Sequence, residues 1–586
     1  MKQASVRQDR THILTVALED YFHGPAFSKV ISRKRWGHFE TRFEQNCMDV
    51  LDRLDQASAQ ATFFVNSWIA RKCPGVLREV INRGNEIALA GQRGLSFRHL
   101  NRDSLRELLR RDRDIIEQQT SRKVLGFRVT DVLLEPRDLW ALEELASLGF
   151  RYDSSLSPFL WKFRNENWRQ HVHENKLQSG AIWEVPLSSE SVGGFLIPFA
   201  GGNYFRQYPE WLIERLLSTA SQREPNPLVL YFRLWDFDTQ QPRLQTGSLI
   251  RDFRHYRNGD RMIRMMNDLL GRFQFTSIAN YLELPILTAT LPAVTVASGE
   301  GHHIFTQTNV SHARTPISVI VPCFNEEEGI PFLANNLASL RNDLSAQFDT
   351  EFLLIDDGSE DQTWHLLQKY FADNPYAKLI RHENNQGVSA AIMTGLQHAR
   401  EIACSIDCDC SYDPSELRPM LNMLVPGVDL VTASPYHPSG TVLNVPRWRL
   451  LLSRVSSALY RLVTARQLHT FTACVRVYRR SAAVGTPLRY TGFLGVAELL
   501  GKMALNNKKI VEHPATLEVR IFGQSKMRVL HTIIGHLRLL SQLGWMRFRL
   551  QLDARSISRN SASVNAGEAS VRFPVGEAVE VKVEKG

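Results

Sequence analysis

Short apolar runs alternate with helix-period segments along most of this chain. Ile13-Leu14-Thr15-Val16-Ala17 and Ala61-Thr62-Phe63-Phe64-Val65 read as strands, and Arg42 to Leu54 between them has the spacing of an amphipathic helix. From Pro316 onward the pattern repeats with new material. A β-branched run, Ile317 to Val321, stops at Pro322; Glu351 to Ile355 and Ile402 to Ile406 are further buried-strand runs, and Val388 to Arg400 is a helix. Strands and helices in alternation predict two α/β blocks. We place them at 11–284 and 315–526, after a polar tail at 1–10. Residues 285–314, rich in Thr, Ala, Ser, Gly and His without sustained periodicity, form the expected linker. A basic amphipathic helix is expected at 527–552, and a Ser-, Ala-, Val- and Glu-rich flexible tail at 553–586. There is no internal repeat.

Composition adds bounds rather than identity. At 586 residues the chain exceeds one core, and 43% hydrophobic with 22% charged residues is ordinary for a globular protein. A net charge of +9 favours anionic partners such as phosphorylated lipids, nucleotide sugars, acidic membranes or nucleic acid. No aromatic-basic motif supports nucleic acid. Seven cysteines without paired spacing suggest a reducing compartment. Met1 to Arg10 is polar and no apolar core follows, so no signal peptide is expected, and no run has the length of a membrane span. A cytoplasmic protein is expected, free or peripheral on the inner face of the plasma membrane. In 527–552, Leu530, Ile533, Ile534, Leu537, Leu540 and Trp545 fall largely at helical spacing among arginines and histidines. That pattern suits a helix lying on a membrane and equally one packed on protein.

Two aspartate motifs carry the chemistry. Ile355-Asp356-Asp357-Gly358-Ser359 and Asp407-Cys408-Asp409 each close an apolar strand, and open α/β sheets bind ligands at the carboxyl ends of their strands. Carboxylates gathered there can hold a divalent cation, and the cation a diphosphate. If the extended conformation persists past Ile406, alternation puts Asp407, Asp409 and Ser411 on one face, with Cys404, Cys408 and Cys410 on the apolar face as small buried hydrophobes.

Taken in order, these segments resemble family 2 glycosyltransferases, especially the branch of dolichol- and polyprenyl-phosphate sugar synthases, over about Thr315 to Lys526. The resemblance implies a GT-A (Rossmann-like) domain and inverting transfer from a nucleotide-sugar donor, with Mg²⁺ or Mn²⁺ as cofactor. The acceptor would be a polyprenyl phosphate or a glycan. It implies donor binding by Pro322, Asn325, Glu326, Asp356 and Asp357, and metal binding by Asp407 and Asp409. Arg520 and Lys526 would contact the donor phosphates, and Arg449 and Ser453 the acceptor phosphate. Glu498 matches an acidic position near the acceptor and is the candidate base for a hydroxyl acceptor. Two positions depart from the pattern. Ala433-Ser434-Pro435 stands where Gly-Ser-Arg is common, and an Asp near Thr470 is missing.

The first block, roughly Ile13 to Leu284, looks like the polysaccharide deacetylase (NodB-homology) family. The segments that carry this are Thr15 to His23, Ala61 to Val65, Asn85 to Ala88, Gly126-Phe127-Arg128, Gly149 to Ser155, Tyr231 to Asp236 and Phe253 to Tyr256. The implied fold is a distorted (β/α) barrel. The groups that family uses are replaced: its Asp by Ala17, its metal histidines by Ala90 and Gly94, its late catalytic His by Arg233. Glu19, Asp20, His23 and His99 remain nearby. The expectation is an inactive deacetylase-like domain joined to a glycosyltransferase, in bacterial envelope or exopolysaccharide synthesis. Two alternatives stand beside it: a bifunctional deacetylase and transferase with bound zinc, and a non-catalytic glycan- or lipid-binding scaffold.

Overall fold

The computed structural model describes residues 10–92, 100–129, 136–156, 166–192, 195–222, 226–285, 314–445, 447–518, 520–523 and 529–568. Two compact units divide the chain: Met1–His312 with Ile521–Gly523, and Ala313–Arg520 with Gln524–Gly586.

The first unit contains β1 (Thr11–Ala17), β2 (Thr62–Val65), β3 (Glu86–Ala90), β4 (Gly126–Arg128), β5 (Tyr152–Asp153), β6 (His173–Leu177) and β7 (Gly180–Glu184). It continues with β8 (Ser189–Val192), β9 (Phe195–Pro198), β10 (Val229–Arg233) and β11 (Gln274–Thr276). The main sheet runs β10-β1-β2-β3-β4-β5-β7-β6, with β11 also on β1. Its ladders are parallel from β10 to β7. Parallel strands need crossovers, and these place helices such as Phe43–Gln56 and Arg102–Thr120 outside the sheet. Strand alternation then separates two layers. Leu14, Val16 and Phe63 pack with Phe43, Val50 and Leu54 in one core, whereas Ile13, Phe64, Ala88 and Tyr152 meet on the opposite face. Single backbone bonds continue the sheet on the open side of β10, from Ser188 N to Val229 O (3.2 Å) and from Tyr231 N to Ala200 O (2.8 Å). The barrel is therefore distorted rather than evenly laddered.

In the second unit lie β12 (Thr315–Cys323), β13 (Phe348–Asp356), β14 (Ala377–Arg381), β15 (Ile402–Ser405), β16 (Leu430–Ser434), β17 (Thr441–Leu443), β18 (Arg476–Arg479), β19 (Ile510–Pro514) and β20 (Thr516–Glu518). Seven strands form one sheet in the order β14-β13-β12-β15-β18-β16-β19, and β17 pairs with β20 apart from it. Only β18 runs antiparallel to its neighbours. Strand β12 pairs with β13 on one side and β15 on the other, so the strand order reverses there. The crevice beyond their carboxyl ends is where such a sheet binds ligands.

The helix expected at 527–552 is present as Val529–Glu568. One of its faces is packed: Leu539, Leu540 and Leu543 join the core formed with helix Phe493–Leu505, and Tyr460 Oη lies 2.7 Å from His536 Nδ1. The expectation of a flexible tail from 553 is corrected up to Glu568. No proline or glycine interrupts the chain between Gly544 and Gly567, and a helix nucleated by packing propagates cheaply until a breaker. Residues 569–586, most of 1–10 and most of the expected linker lie outside the described residues.

Candidate active site

Loops after β12 and β13 are tied to each other. Asn325 takes a left-handed backbone (φ 52°), which Asn tolerates because its short side chain can bond locally. Its Oδ1 accepts from Glu360 N (2.8 Å), its own N donates to Ser359 Oγ (3.0 Å), and Glu326 N donates to Thr363 Oγ1 (2.7 Å). Asp356 and Asp357 are both buried. Asp356 pairs with Arg381 (3.0 Å) and accepts from Ser359 N (3.3 Å). Asp357 accepts from Gln386 N (3.0 Å) and Gly387 N (2.7 Å), and its Oδ1 lies 2.7 Å from His382 Nδ1. It thus anchors the backbone that leads into helix Val388–His398, while the first-turn N–H groups of Ser389 and Ala390 find their acceptor in Thr491 O. Gly358 (φ 69°) has no room for a Cβ, which would meet Asn384 backbone at 2.5 Å. Pro322 lies on β12 opposite Ile355, one step before these loops. Sequence reasoning found the aspartates and Ser359 and missed Arg381 and His382, which hold the aspartates, and Thr363, which holds the Glu326 backbone. Their only sequence signal was position just after a strand or a loop.

Beyond β15 the strand does not persist. It ends at Ser405, and Cys410 N donates to Asp407 O (3.1 Å) with Cys410 in the left-handed region (φ 49°). The extended alternation expected through Ser411 is therefore replaced by a turn, because no partner strand continues the ladder there. The partition of side chains survives: Cys404, Cys408 and Cys410 are buried, whereas both aspartates are only partly buried. Ser411 fixes Asp409, donating to Oδ1 from its N (2.9 Å) and its Oγ (2.7 Å). Burial first, then the neighbouring Asp409 carboxylate, push the Asp407 carboxyl up to about 7. Arg520 reaches both strands' loops, pairing with Glu326 and lying 3.6 Å from Asp409. Asp407 and Asp409 offer oxygen donors with one arginine as counter-charge, but among the described residues no third His, Cys, Asp or Glu joins them as a ligand set. A hard divalent cation here would need its other ligands from a bound diphosphate or water.

Glu498 has different partners from those of a base. It is buried, and its oxygens accept from Arg489 N (2.9 Å) and Tyr490 N (2.9 Å) and pair with Lys502 (2.7 Å). The loop it holds touches helix Val388–His398, where Ser389 N donates to Thr491 O (2.8 Å) and Ser389 Oγ to Gly492 O (2.7 Å). Glu498 thus sits at the far end of the helix contacts that begin at Asp357. Ser453 is half-buried in helix Arg447–Thr464. Arg449 belongs to the same helix, with its side chain outside the described residues, as is Lys526. Ser434, the retained serine between the departing Ala433 and Pro435, has its Oγ 2.9 Å from Thr470 Oγ1.

In the first unit, Ala17 ends β1 opposite Arg233 of β10, and Ala90 ends β3 opposite Arg128. Asp20 is spent on backbone: it accepts from Tyr21 N (2.9 Å), Arg42 N (2.6 Å) and Phe43 N (3.2 Å). His23 is packed among Phe22, Trp36 and Trp68. Gly94 and His99 lie outside the described residues. Among the described residues no three His, Cys, Asp or Glu side chains gather to hold a metal ion.

Comparison with known proteins divides the chain in the same way. It matches Polysaccharide deacetylase over 36–152, a domain of unknown function (DUF3473) over 154–299, and Glycosyl transferase family 2 over 318–484. Polyprenol monophosphomannose synthase of Mycolicibacterium smegmatis is 30% identical over 217 residues, which are 36% of this chain and 80% of that protein. Dolichol-phosphate mannosyltransferase of Pyrococcus furiosus is 28% identical over 240 residues, 40% of this chain and 65% of that protein. Among solved structures, glucosyl-3-phosphoglycerate synthase of Mycobacterium tuberculosis, in complex with Mn²⁺, UDP and glucosyl-3-phosphoglycerate, is 16% identical. Its TM-score is 0.30, and the match covers 39% of this chain and 79% of that one.

Proposed function

Because the chain belongs to glycosyl transferase family 2, with a polysaccharide deacetylase-like unit before it, we propose that it is a metal-dependent inverting transferase moving a sugar from a nucleotide-sugar to a polyprenyl phosphate. The supporting observation is the turn that sets Asp407 and Asp409 beside Arg520. Mg²⁺ or Mn²⁺ held by Asp407 and Asp409 would neutralise charge on the leaving nucleoside diphosphate. Arg520 adds a fixed positive charge at the same place, held ready by Glu326. Asn325, Glu326, Asp356 and Asp357 shape the donor pocket, with Pro322 setting the end of its strand. An acceptor phosphate oxygen attacks the anomeric carbon; the bond to the donor phosphate breaks, its electron pair leaves with the diphosphate, and configuration inverts. A phosphate monoester has its second ionisation near pH ~6, so this acceptor needs no protein base. That agrees with Glu498 being engaged elsewhere, and we assign it to positioning. Arg449, Ser453 and Lys526 are the proposed contacts to acceptor and donor phosphates.

Exposed apolar residues support delivery from a membrane surface. Leu451, Val455 and Leu462 on helix Arg447–Thr464, and Leu537, Trp545 and Phe548 on helix Val529–Glu568, are open to solvent beside Arg454, Arg538 and Arg549. A basic, apolar pair of helices suits an anionic interface. Among the described residues no helix is long and apolar enough to cross a membrane.

The first unit is proposed to have lost deacetylation, since Ala17, Ala90 and Arg233 stand where a base, a metal ligand and an acid are needed, and zinc hydrolysis takes about three protein ligands. Two assays test these readings. Purified protein is incubated with UDP- and GDP-sugars, Mn²⁺ and polyprenyl phosphate, beside Asp409→Ala; metal-dependent transfer absent in the variant is expected. Turnover only with a glycan acceptor would shift the reading to a hydroxyl nucleophile. Efficient release of acetate from an N-acetylated glycan would overturn the loss of deacetylation.

A further inference from the structure

The first unit has a half-open cavity of about 490 Å³ at the carboxyl ends of its strands, within the size range of small-molecule sites. Its described lining contains five arginines (Arg128, Arg206, Arg233, Arg251 and Arg254) and no Asp or Glu. Some of this charge is compensated nearby: Arg206 pairs with Asp236 (2.8 Å), and Glu19 lies 3.7 Å from Arg233. Arg128, Arg251 and Arg254 form no ion pair with a carboxylate among the described residues; Arg251 and Arg254 are exposed at the cavity's rim, whereas Arg128 is buried.

Arg128 is the most telling. It is buried, and its donors go only to neutral groups: Ser154 O (3.0 Å), Ser154 Oγ (2.7 Å) and Thr15 Oγ1 (2.8 Å). Its guanidinium lies against the rings of Phe64 (4.1 Å) and Tyr231 (5.0 Å). Burial pulls it down to about 10, still charged at neutral pH. The buried carboxyls of Asp153 and Glu184 lie within electrostatic reach but form no ion pair with the guanidinium, so an anion in the cavity would supply the direct counter-charge it lacks. Two further buried donors have no partner, Arg206 Nε and Trp235 Nε1. Aromatic walls accompany the charge. Trp235 is stacked on His255 at 4.4 Å with Arg206 over its ring at 4.6 Å, and Tyr204 and Tyr231 also line the space. Flat rings accept the apolar face of a sugar, and forked guanidinium groups accept planar or tetrahedral anions.

We propose that this cavity binds an anionic carbohydrate, a sugar phosphate or a uronate, through its arginines. A domain built to hydrolyse a neutral acetylated sugar would thereby have become a receptor for a charged one. This does not rest on the transferase reading, which stands or falls in the other unit.

Calorimetric titration of the full chain with glucose 6-phosphate, glucuronate and glucose tests it. Each ligand is also titrated into Arg233→Ala/Arg254→Ala and into Asp409→Ala. At least one anionic sugar should bind at least tenfold more tightly than glucose, tenfold more weakly to the double arginine variant, and unchanged to Asp409→Ala. Preference for glucose 6-phosphate would identify a phosphate ligand, and preference for glucuronate a carboxylate one. Thermal melting confirms that the double variant is folded. Should it remain folded and bind normally, or glucose bind equally, or neither anion bind at millimolar concentration, the proposal fails. Loss of binding in Asp409→Ala would place the anion in the second unit and also overturn it.

Discussion

Both units present loops beyond the carboxyl ends of parallel strands, yet they use that edge with opposite signs. In the second unit it carries Asp356, Asp357, Asp407 and Asp409, organised by Arg381 and Arg520. In the first, Ala17 and Ala90 stand at strand ends, Arg128 and Arg233 face them in register, and arginines line the cavity. A parallel sheet therefore supplies a place for a site and says little about its charge. Carboxylates there invite a cation and a diphosphate, arginines an anion, although the backbone architecture is comparable.

The sharpest way to break this contrast is to remove the negative edge. Asp409→Ala should lower sugar transfer by about 10³-fold, because the stabilisation of a leaving diphosphate goes with the ion. Chelation of divalent ions in the unaltered protein should do the same and be reversed by Mn²⁺. A smaller loss would assign most of the charge stabilisation to Arg520.

Glu498 separates a base from a positioning group. Glu498→Ala leaves Lys502 and two backbone N–H groups without their buried acceptor, which should cost about 3 kcal/mol in urea unfolding. With polyprenyl phosphate as acceptor, the pH dependence of transfer in Glu498→Gln should keep its shape. Disappearance of an acidic limb would restore the base assignment.

The first unit has its own pH sensitivity. His12 is buried, its Nδ1 accepts from Leu228 N (3.1 Å), and burial, followed by Arg10, holds its ring down to about 4. The unfolded chain binds this proton near pH 6.5 and the folded chain near 4, so stability is lost as pH falls between them. From pH 7 to 5 the loss should be about 2 kcal/mol, read by urea unfolding of the first unit's transition. A His12→Leu variant should lack this component of the pH dependence.

The mildest test makes the two edges more alike. Ala17→Asp returns a carboxylate beside Arg233 and should weaken anionic-sugar binding by about tenfold, or about 1.4 kcal/mol. Equal affinity in calorimetry would show that the anion sits away from β1.

Much of the candidate site was legible because its signals are local. Asp356 and Asp407 end apolar runs, and a run that closes on aspartates marks a strand's carboxyl end whatever the fold around it. The meaning of Ala17 and Ala90 was equally plain, since an alanine cannot ligate or transfer a proton. Less could be read where partners come from distant segments. Arg381 and His382 acquire roles only when β14 lies beside β13, and Glu498 looks like a base until the 489–490 backbone is seen on its oxygens. The turn after Ser405 was also hidden, because alternating apolar and polar residues fit a strand and a turn alike once the ladder stops.

By itself the sequence determined two α/β blocks and the aspartates that close the strands of the second, since periodicity and side-chain chemistry are properties of short segments. Only the tertiary structure decided which carboxylates remain available and which are occupied, and that the barrel's arginines line one cavity. Hydrogen-bond partners and uncompensated charge depend on groups that meet across hundreds of residues, and burial sets how strongly each is felt.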